Sequence, residues 1–273
     1  MTFNSIEFLI FYPTVLLLYF ILPRAFKWPL LLIASYFFYA YYNLSLLSLI
    51  IITTLVSWSC ALMIERCERR IWRRLLLAVT LTVCLGILFF YKYFDFISLS
   101  IADLFGAQPY LLDLILPVGI SFYTFQTLSY VIDVYRGEVR TEKNPLFYAL
   151  FVSFFPQLVA GPIERPSNLI PQLKAENKLN AEDFGAGIRV MLLGFFKKIC
   201  VADLVAPMVN SVYNSPEGAG SLAILLATVL FAVQIYCDFS GYTDIAIGCS
   251  RIMGIRLMKN FDHPYRARTV KEF

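Results

Sequence analysis

Residues Leu30 to Ile64 read LLLIASYFFYAYYNLSLLSLIIITTLVSWSCALMI, 35 positions without one charged side chain. As a single helix this run would be about 52 Å long at about 1.5 Å per residue. The hydrocarbon core of a bilayer is only about 30 Å thick. The run therefore crosses, turns and crosses back, and Asn43 marks the turn. Further uncharged stretches occupy Ser5 to Leu22 (apart from Glu7), Leu75 to Tyr91, Leu114 to Ile132, Asn144 to Ile163, Leu204 to Pro216 and Ser221 to Cys237. The pattern predicts an all-α, polytopic transmembrane helical bundle, a single domain over residues 1–273.

Composition agrees. With 59% hydrophobic and 16% aromatic residues, a soluble surface would carry large apolar patches, and contact with lipid removes that conflict. The net charge of +4 sits in short basic clusters beside apolar runs, where it sets topology. No basic groove or RNP-like motif accompanies it, so nucleic acid is not an expected partner. The six cysteines, Cys60, Cys67, Cys84, Cys200, Cys237 and Cys249, show no C-x-x-C spacing. They read as small buried hydrophobes, and no metal site is expected. The first apolar run has no Lys or Arg before Arg24 and no A-x-A site, so it is read as a retained span.

Arg66, Arg69, Arg70, Arg73 and Arg74 crowd nine residues between two apolar runs, and the positive-inside rule places that loop in the cytoplasm. Counting outward, Arg24 with Lys27 is also inside, and the acidic 95–113 segment outside. Arg136, Arg140 and Lys143 return the chain inside, as do Lys197 with Lys198 and the basic residues from Arg251 onward. Only one good apolar run separates Lys143 from Lys197, although two cytoplasmic loops need an even number of crossings. A segment that dips in and returns would settle the count. Residues 154–166, with Pro156, Gln157, Gly161 and Pro162, form the candidate re-entrant loop, because broken backbone at membrane depth is tolerated only when buried in protein or lining a watery cavity. The alternative is an ordinary helix end with a Pro-rich exit.

Two helical faces carry polar groups where they are expensive. Tyr123, Gln126, Tyr130 and Asp133 follow spacings of three, four and three; Gln234, Asp238 and Tyr242 follow spacings of four. Ionisable residues inside membrane segments normally face the bundle interior or a cavity, so these residues, with Asp244, are candidates for lining a shared polar interior. Interhelical hydrogen bonding, or the ends of the two helices, is the competing explanation. His263, the one histidine, lies in the basic segment NFDHPYR (260–266). It lacks an identifiable nucleophile or orienting acid and reads as a surface or interfacial residue.

Three segments then fall into place together: LPVGISFYTFQTLSYVIDVYRG (116–137), FPQLVAGPI (155–163) and YCDFSGYTDIAIG (236–248). In order and spacing they resemble the membrane-bound O-acyltransferase (MBOAT) family, and within it the alginate O-acetyltransferase branch. The resemblance implies a multi-pass enzyme of the bacterial inner (plasma) membrane, with no bound cofactor. Acetyl-CoA or another acyl thioester would be its donor substrate. The acyl group would pass to an exported polysaccharide such as alginate, directly or through a periplasmic acetyltransferase partner. The family also includes D-alanyl transfer to teichoic acid and peptidoglycan acylation, which stand as alternatives.

A secondary transporter with a broken-helix midplane site is the alternative from another class, although no second copy of the 111–166 pattern appears. The resemblance also implies two functional histidines, in Trp-Arg-Arg-Trp-His-like and Trp-His-Gly-like segments past Phe273. The sequence is accordingly read as the N-terminal portion, C-terminally incomplete, with no catalytic residue of its own. A neutral imidazole suits removal of the acceptor's proton; a carboxylate such as Asp133, Asp238 or Asp244 is a weaker base unless burial raises its pKa.

The charge asymmetry makes the orientation testable. Cysteine introduced at Ser100 should react with a membrane-impermeant thiol reagent in intact spheroplasts, while cysteine introduced at Ile71 should be protected. The reverse labelling pattern would overturn the orientation.

Overall fold

The computed structural model describes residues 1–41, 43–159, 161–261 and 264–270; His263 lies outside them. Among the described residues the chain is helical with no strand. In order the helices are α1 (Ile6–Ile21), α2 (Arg24–Ala40), α3 (Leu44–Arg66), α4 (Arg70–Lys92), α5 (Phe94–Phe105), α6 (Ile120–Arg136), α7 (Pro145–Ser153), α8 (Phe155–Leu158), α9 (Pro166–Lys174), α10 (Ala181–Phe195), α11 (Asp203–Tyr213) and α12 (Ser221–Ile252). A π-helical segment, Phe196–Ala202, joins α10 to α11. Helices α3, α4 and α12 are long and apolar enough to cross a bilayer, and the chain is a membrane protein.

The turn at Asn43 is present. α2 ends at Ala40, and Asn43 caps α3 by accepting from the backbone N–H of Ser45 at 2.9 Å, a cap worth about 1 kcal/mol. The run from Leu114 differs from expectation. Residues 107–117 are not helical and α6 begins at Ile120, because the chain is first tied back to α5, whose first-turn carboxylate Asp95 accepts from the N–H groups of Leu112 and Asp113. Gly119, at φ 75°, then starts α6 where an added Cβ would lie 2.4 Å from the carbonyl oxygen of Leu158. Glycine is required there for both its conformation and its size.

The described residues form two compact units, α2–α9 and α1 with α10–α12. In the α2–α9 unit, α3 packs on α4 and α6 while α7 packs on α2, α3 and α9. Tyr130 and Tyr148 meet with ring centroids 4.5 Å apart inside a buried aromatic set with Phe151, Phe154 and Phe155. The hydroxyls of Ser35, Thr53, Ser57 and Ser153 donate to carbonyls one turn back. Helical hydroxyls thereby satisfy themselves without solvent.

In the other unit, α10 and α12 cross at reciprocal glycines. A Cβ on Gly194 would sit 2.7 Å from the Gly241 carbonyl oxygen, and one on Gly248 would sit 2.6 Å from that of Gly187. Small residues let helix backbones approach closely where lipid gives no hydrophobic drive for association. Tyr12 of α1 donates to the Cys249 carbonyl at 3.0 Å. Asp183, in the first turn of α10, is held below its usual pKa by Arg251, with Arg256 adding to the effect. None of the six cysteines is bonded to another, and Cys60, Cys84, Cys237 and Cys249 are buried.

The glycine crossing yields a stability prediction. Gly194→Val should destabilise the protein by about 1–3 kcal/mol through overpacking, read as a lower melting temperature in detergent. Gly86→Val, whose glycine has no neighbour within 4 Å, should be well tolerated. Equal stabilities would dismiss the close crossing.

Candidate functional site

The sequence expectation placed Lys197 and Lys198 in a cytoplasmic loop, and the structure corrects it. Both lie in the π-helical segment inside an unbroken helical stretch from Ala181 to Tyr213. Lys197 Nζ is 2.6 Å from Asp244 Oδ2; Lys198 Nζ is 2.5 Å from Asp238 Oδ1 and 2.9 Å from Asp203 Oδ1. The count that demanded a re-entrant loop before Lys197 rested on a loop that is not there. The physical reason is charge pairing. Cations flanked by the uncharged stretches 190–196 and 199–201 remain helical when acids on a neighbouring helix neutralise them.

The motif 238–244, DFSGYTD, now has a mechanical explanation. Gly241 faces the π-helical segment, where its Cβ would lie 3.1 Å from Lys198 N. The backbones touch at the glycine, and the acids three residues to either side each reach one lysine. The ammonium of Lys198 also lies 5.0 Å from the ring centroid of Tyr242, and that of Lys197 5.8 Å from Tyr236, within cation–π range. Gln234, one turn earlier, has a buried Oε1 with no hydrogen-bond partner among the described residues. Two cations face three carboxylates, leaving the cluster one negative charge in excess. π-Helical turns recur at functional sites, and this one holds the paired charges.

The other stripe lies within the α2–α9 unit. Tyr123, Gln126, Tyr130 and Asp133 are all buried on α6, and Gln126, Tyr130 and Asp133 each engage another part of the unit. Asp133 accepts from Arg165 Nη1 at 3.0 and 3.2 Å. Tyr130 accepts from the backbone N–H of Glu142 at 2.8 Å. Tyr123 meets Tyr39 edge-on, with ring centroids 6.2 Å apart.

Gln126 serves the broken helix. Where α7 ends, the N–H of Phe155 donates to Ser35 Oγ at 3.0 Å, and the Phe151 carbonyl accepts from both Gln126 Nε2 at 2.9 Å and Gln157 Nε2 at 2.8 Å. The backbone groups released by the break before Pro156 are thus capped by side chains. Pro156, Gln157, Gly161 and Pro162 are buried. Ser35, Arg165, Asp203 and the two lysines were not among the residues singled out from sequence. For the lysines a signal existed in their uncharged flanks, and Asp203 lies five residues after Lys198 in the same helical stretch; for Ser35 and Arg165 the partnership is a matter of tertiary placement.

No protein-family model matches the chain. A Pseudomonas aeruginosa protein named probable alginate O-acetylase AlgI is 37% identical over 100% of this chain and 53% of its own length. A Helicobacter pylori protein named peptidoglycan O-acetyltransferase is 33% identical over 96% of this chain and 56% of its own length. A Bacillus subtilis protein named teichoic acid D-alanyltransferase is 31% identical over 57% of this chain and 40% of its own length. The chain spans about half the length of the curated relatives it matches.

The lysine cluster predicts energetic coupling. In a double-mutant cycle of Lys198→Met and Asp238→Leu, followed by unfolding in detergent, the pair should show about 0.5–3 kcal/mol of interaction, each single change destabilising more than its share of the double. Strict additivity would mean that the ion pair is not formed.

Proposed function

We propose a function for this chain on the premise that it belongs to the membrane-bound O-acyltransferase family. Its activity is assigned as O-acyl transfer, acetyl first among the acyl groups, from a cytoplasmic thioester donor such as acetyl-CoA to an exported polysaccharide such as alginate. Transfer is direct or runs through a periplasmic acetyltransferase partner, in a multi-pass protein of the bacterial inner membrane. Similarity over the whole of this chain, and about half of each relative, to proteins named probable alginate O-acetylase carries this reading. A second acceptor, peptidoglycan, is favoured by the Helicobacter pylori relative, which is matched over nearly the whole chain.

The chemistry sets what the residues must supply. The acceptor hydroxyl attacks the thioester carbonyl, a C–O bond replaces the C–S bond, and the hydroxyl proton passes through a general base to the departing thiolate. The resemblance assigns the base to a histidine, whose neutral imidazole suits the task near neutral pH. The residues described here are assigned a supporting role. Asp238 and Asp244 with their lysines hold α12 against the π-helical segment in one unit, and Gln126 with Gln157 fixes the broken helix in the other.

The test uses the protein expressed from its complete gene, in membrane vesicles supplied with radiolabelled acetyl-CoA and either alginate or peptidoglycan. Label should enter one polymer as alkali-labile ester. Asp238→Leu should reduce transfer by about ten- to a hundredfold through misplacement, at matched membrane levels. Label entering neither polymer would overturn the reading.

A further inference from the structure

The arginines that set the orientation expectation come together with a second basic segment. α3 ends at Arg66 and α4 begins at Arg70 with Arg69 as its N-cap; its first turn holds no acidic residue. Cations at a helix N-terminus oppose the macrodipole and are unfavourable unless an anion answers them. The structure adds more positive charge there. Arg73 Nη2 donates to the Tyr135 carbonyl at 2.6 Å, and its guanidinium lies 5.4 Å from the Tyr135 ring centroid. Arg74 and Arg70 also reach the Tyr135 phenol and hold its pKa below the usual value. This docking brings the end of α6, with exposed Arg136 and Arg140, alongside the start of α4.

One exposed acid, Glu68, stands among the arginines of this connection, against Arg66, Arg69, Arg70, Arg73 and Arg74; the other acids close by are mostly committed elsewhere. Glu65 accepts from both the N–H and the hydroxyl of Thr141, and Glu142 pairs with Lys174. Glu138 touches Arg136 only at 3.9 Å, both exposed. Arg73 Nε, shielded from solvent, has no hydrogen-bond partner among the described residues. In the same turn Ile71 and Trp72 are exposed, and the exposed apolar face continues down α4 through Leu75 and Val79.

We propose that this arginine collar is a docking surface for anionic phospholipid headgroups. The pairing of chemistries selects the ligand. Guanidinium forks match phosphate oxygens; the adjoining Trp72 and aliphatic face match the interfacial and acyl regions of the same molecule. A soluble anion would meet only the arginines. Basic clusters beside membrane helices bind anionic lipid through this combination.

The experiment measures thermal unfolding of the full chain in neutral detergent, titrated with short-chain phosphatidylglycerol, phosphatidylcholine, inorganic phosphate or coenzyme A. Phosphatidylglycerol should raise the melting temperature at concentrations about tenfold or more below those of phosphatidylcholine, and the difference should shrink with added salt. The triple change Arg66→Gln, Arg70→Gln and Arg74→Gln should raise the half-saturating phosphatidylglycerol concentration about tenfold or more. Arg73 is left intact because it holds α4 to α6. Single changes at Arg66 and Arg74 supply the same comparison should the triple variant not fold. Arg189→Gln, in the other unit, should leave the response unchanged. Equal responses to the two lipids, saturation by phosphate or coenzyme A at the lipid's concentration, or an unaltered response in the arginine variants would each overturn the proposal.

Discussion

An apolar chain with few solvent-facing surfaces must satisfy its polar groups from within, and the break between α7 and α8 is where that constraint is sharpest. Pro156 cannot donate a backbone hydrogen bond, and the helix stops at Ser153. The released Phe151 carbonyl and Phe155 N–H are buried, where an unpaired group costs about 1–3 kcal/mol. Ser35 from α2, Gln126 from α6 and Gln157 from the break itself meet them. Much of the α2–α9 unit follows from this demand. α2 and α6 must both reach the break, and Gly119 must be a glycine for α6 to start against Leu158.

The same demand, applied to charge, organises the other unit. A lysine inside an apolar helix is tolerable only with an acid in reach, and two adjacent lysines need acids on more than one side. The π-helical segment carries the lysines, α12 carries Asp238 and Asp244, and Gly241 between the acids brings the backbones together. The glycine contacts Gly187–Gly248 and Gly194–Gly241 extend that approach along α10. Packing and pairing reinforce each other here. A bulkier residue at the crossing would separate the helices and stretch the ion pairs.

The two units meet the same demand by different means. An apolar helical protein needs its polar and charged groups paired without unfolding the helices that carry them. The chain supplies a capped helix break and a neutralised lysine pair. Each stabilises non-standard backbone, one at a proline and one at a π-helical turn. Where the arginines gather at the ends of α3, α4 and α6, the excess charge instead faces outward beside exposed apolar surface.

The sequence alone determined the class of protein, because the length of an uncharged run is compared directly with bilayer thickness and needs no partner. It also placed the turn at Asn43 and the polar faces of α6 and α12, since helical spacing is a local property. It misplaced Lys197 and Lys198. A lysine pair looks the same in a cytoplasmic loop and in a neutralised helix until the acid 40 or more residues away is brought beside it. For the same reason it missed Ser35 and Arg165 as partners, while Asp203, five residues after Lys198, was within local reach. Which donor meets which orphaned acceptor is decided by the packing of helices distant in sequence, and only the tertiary structure records that choice.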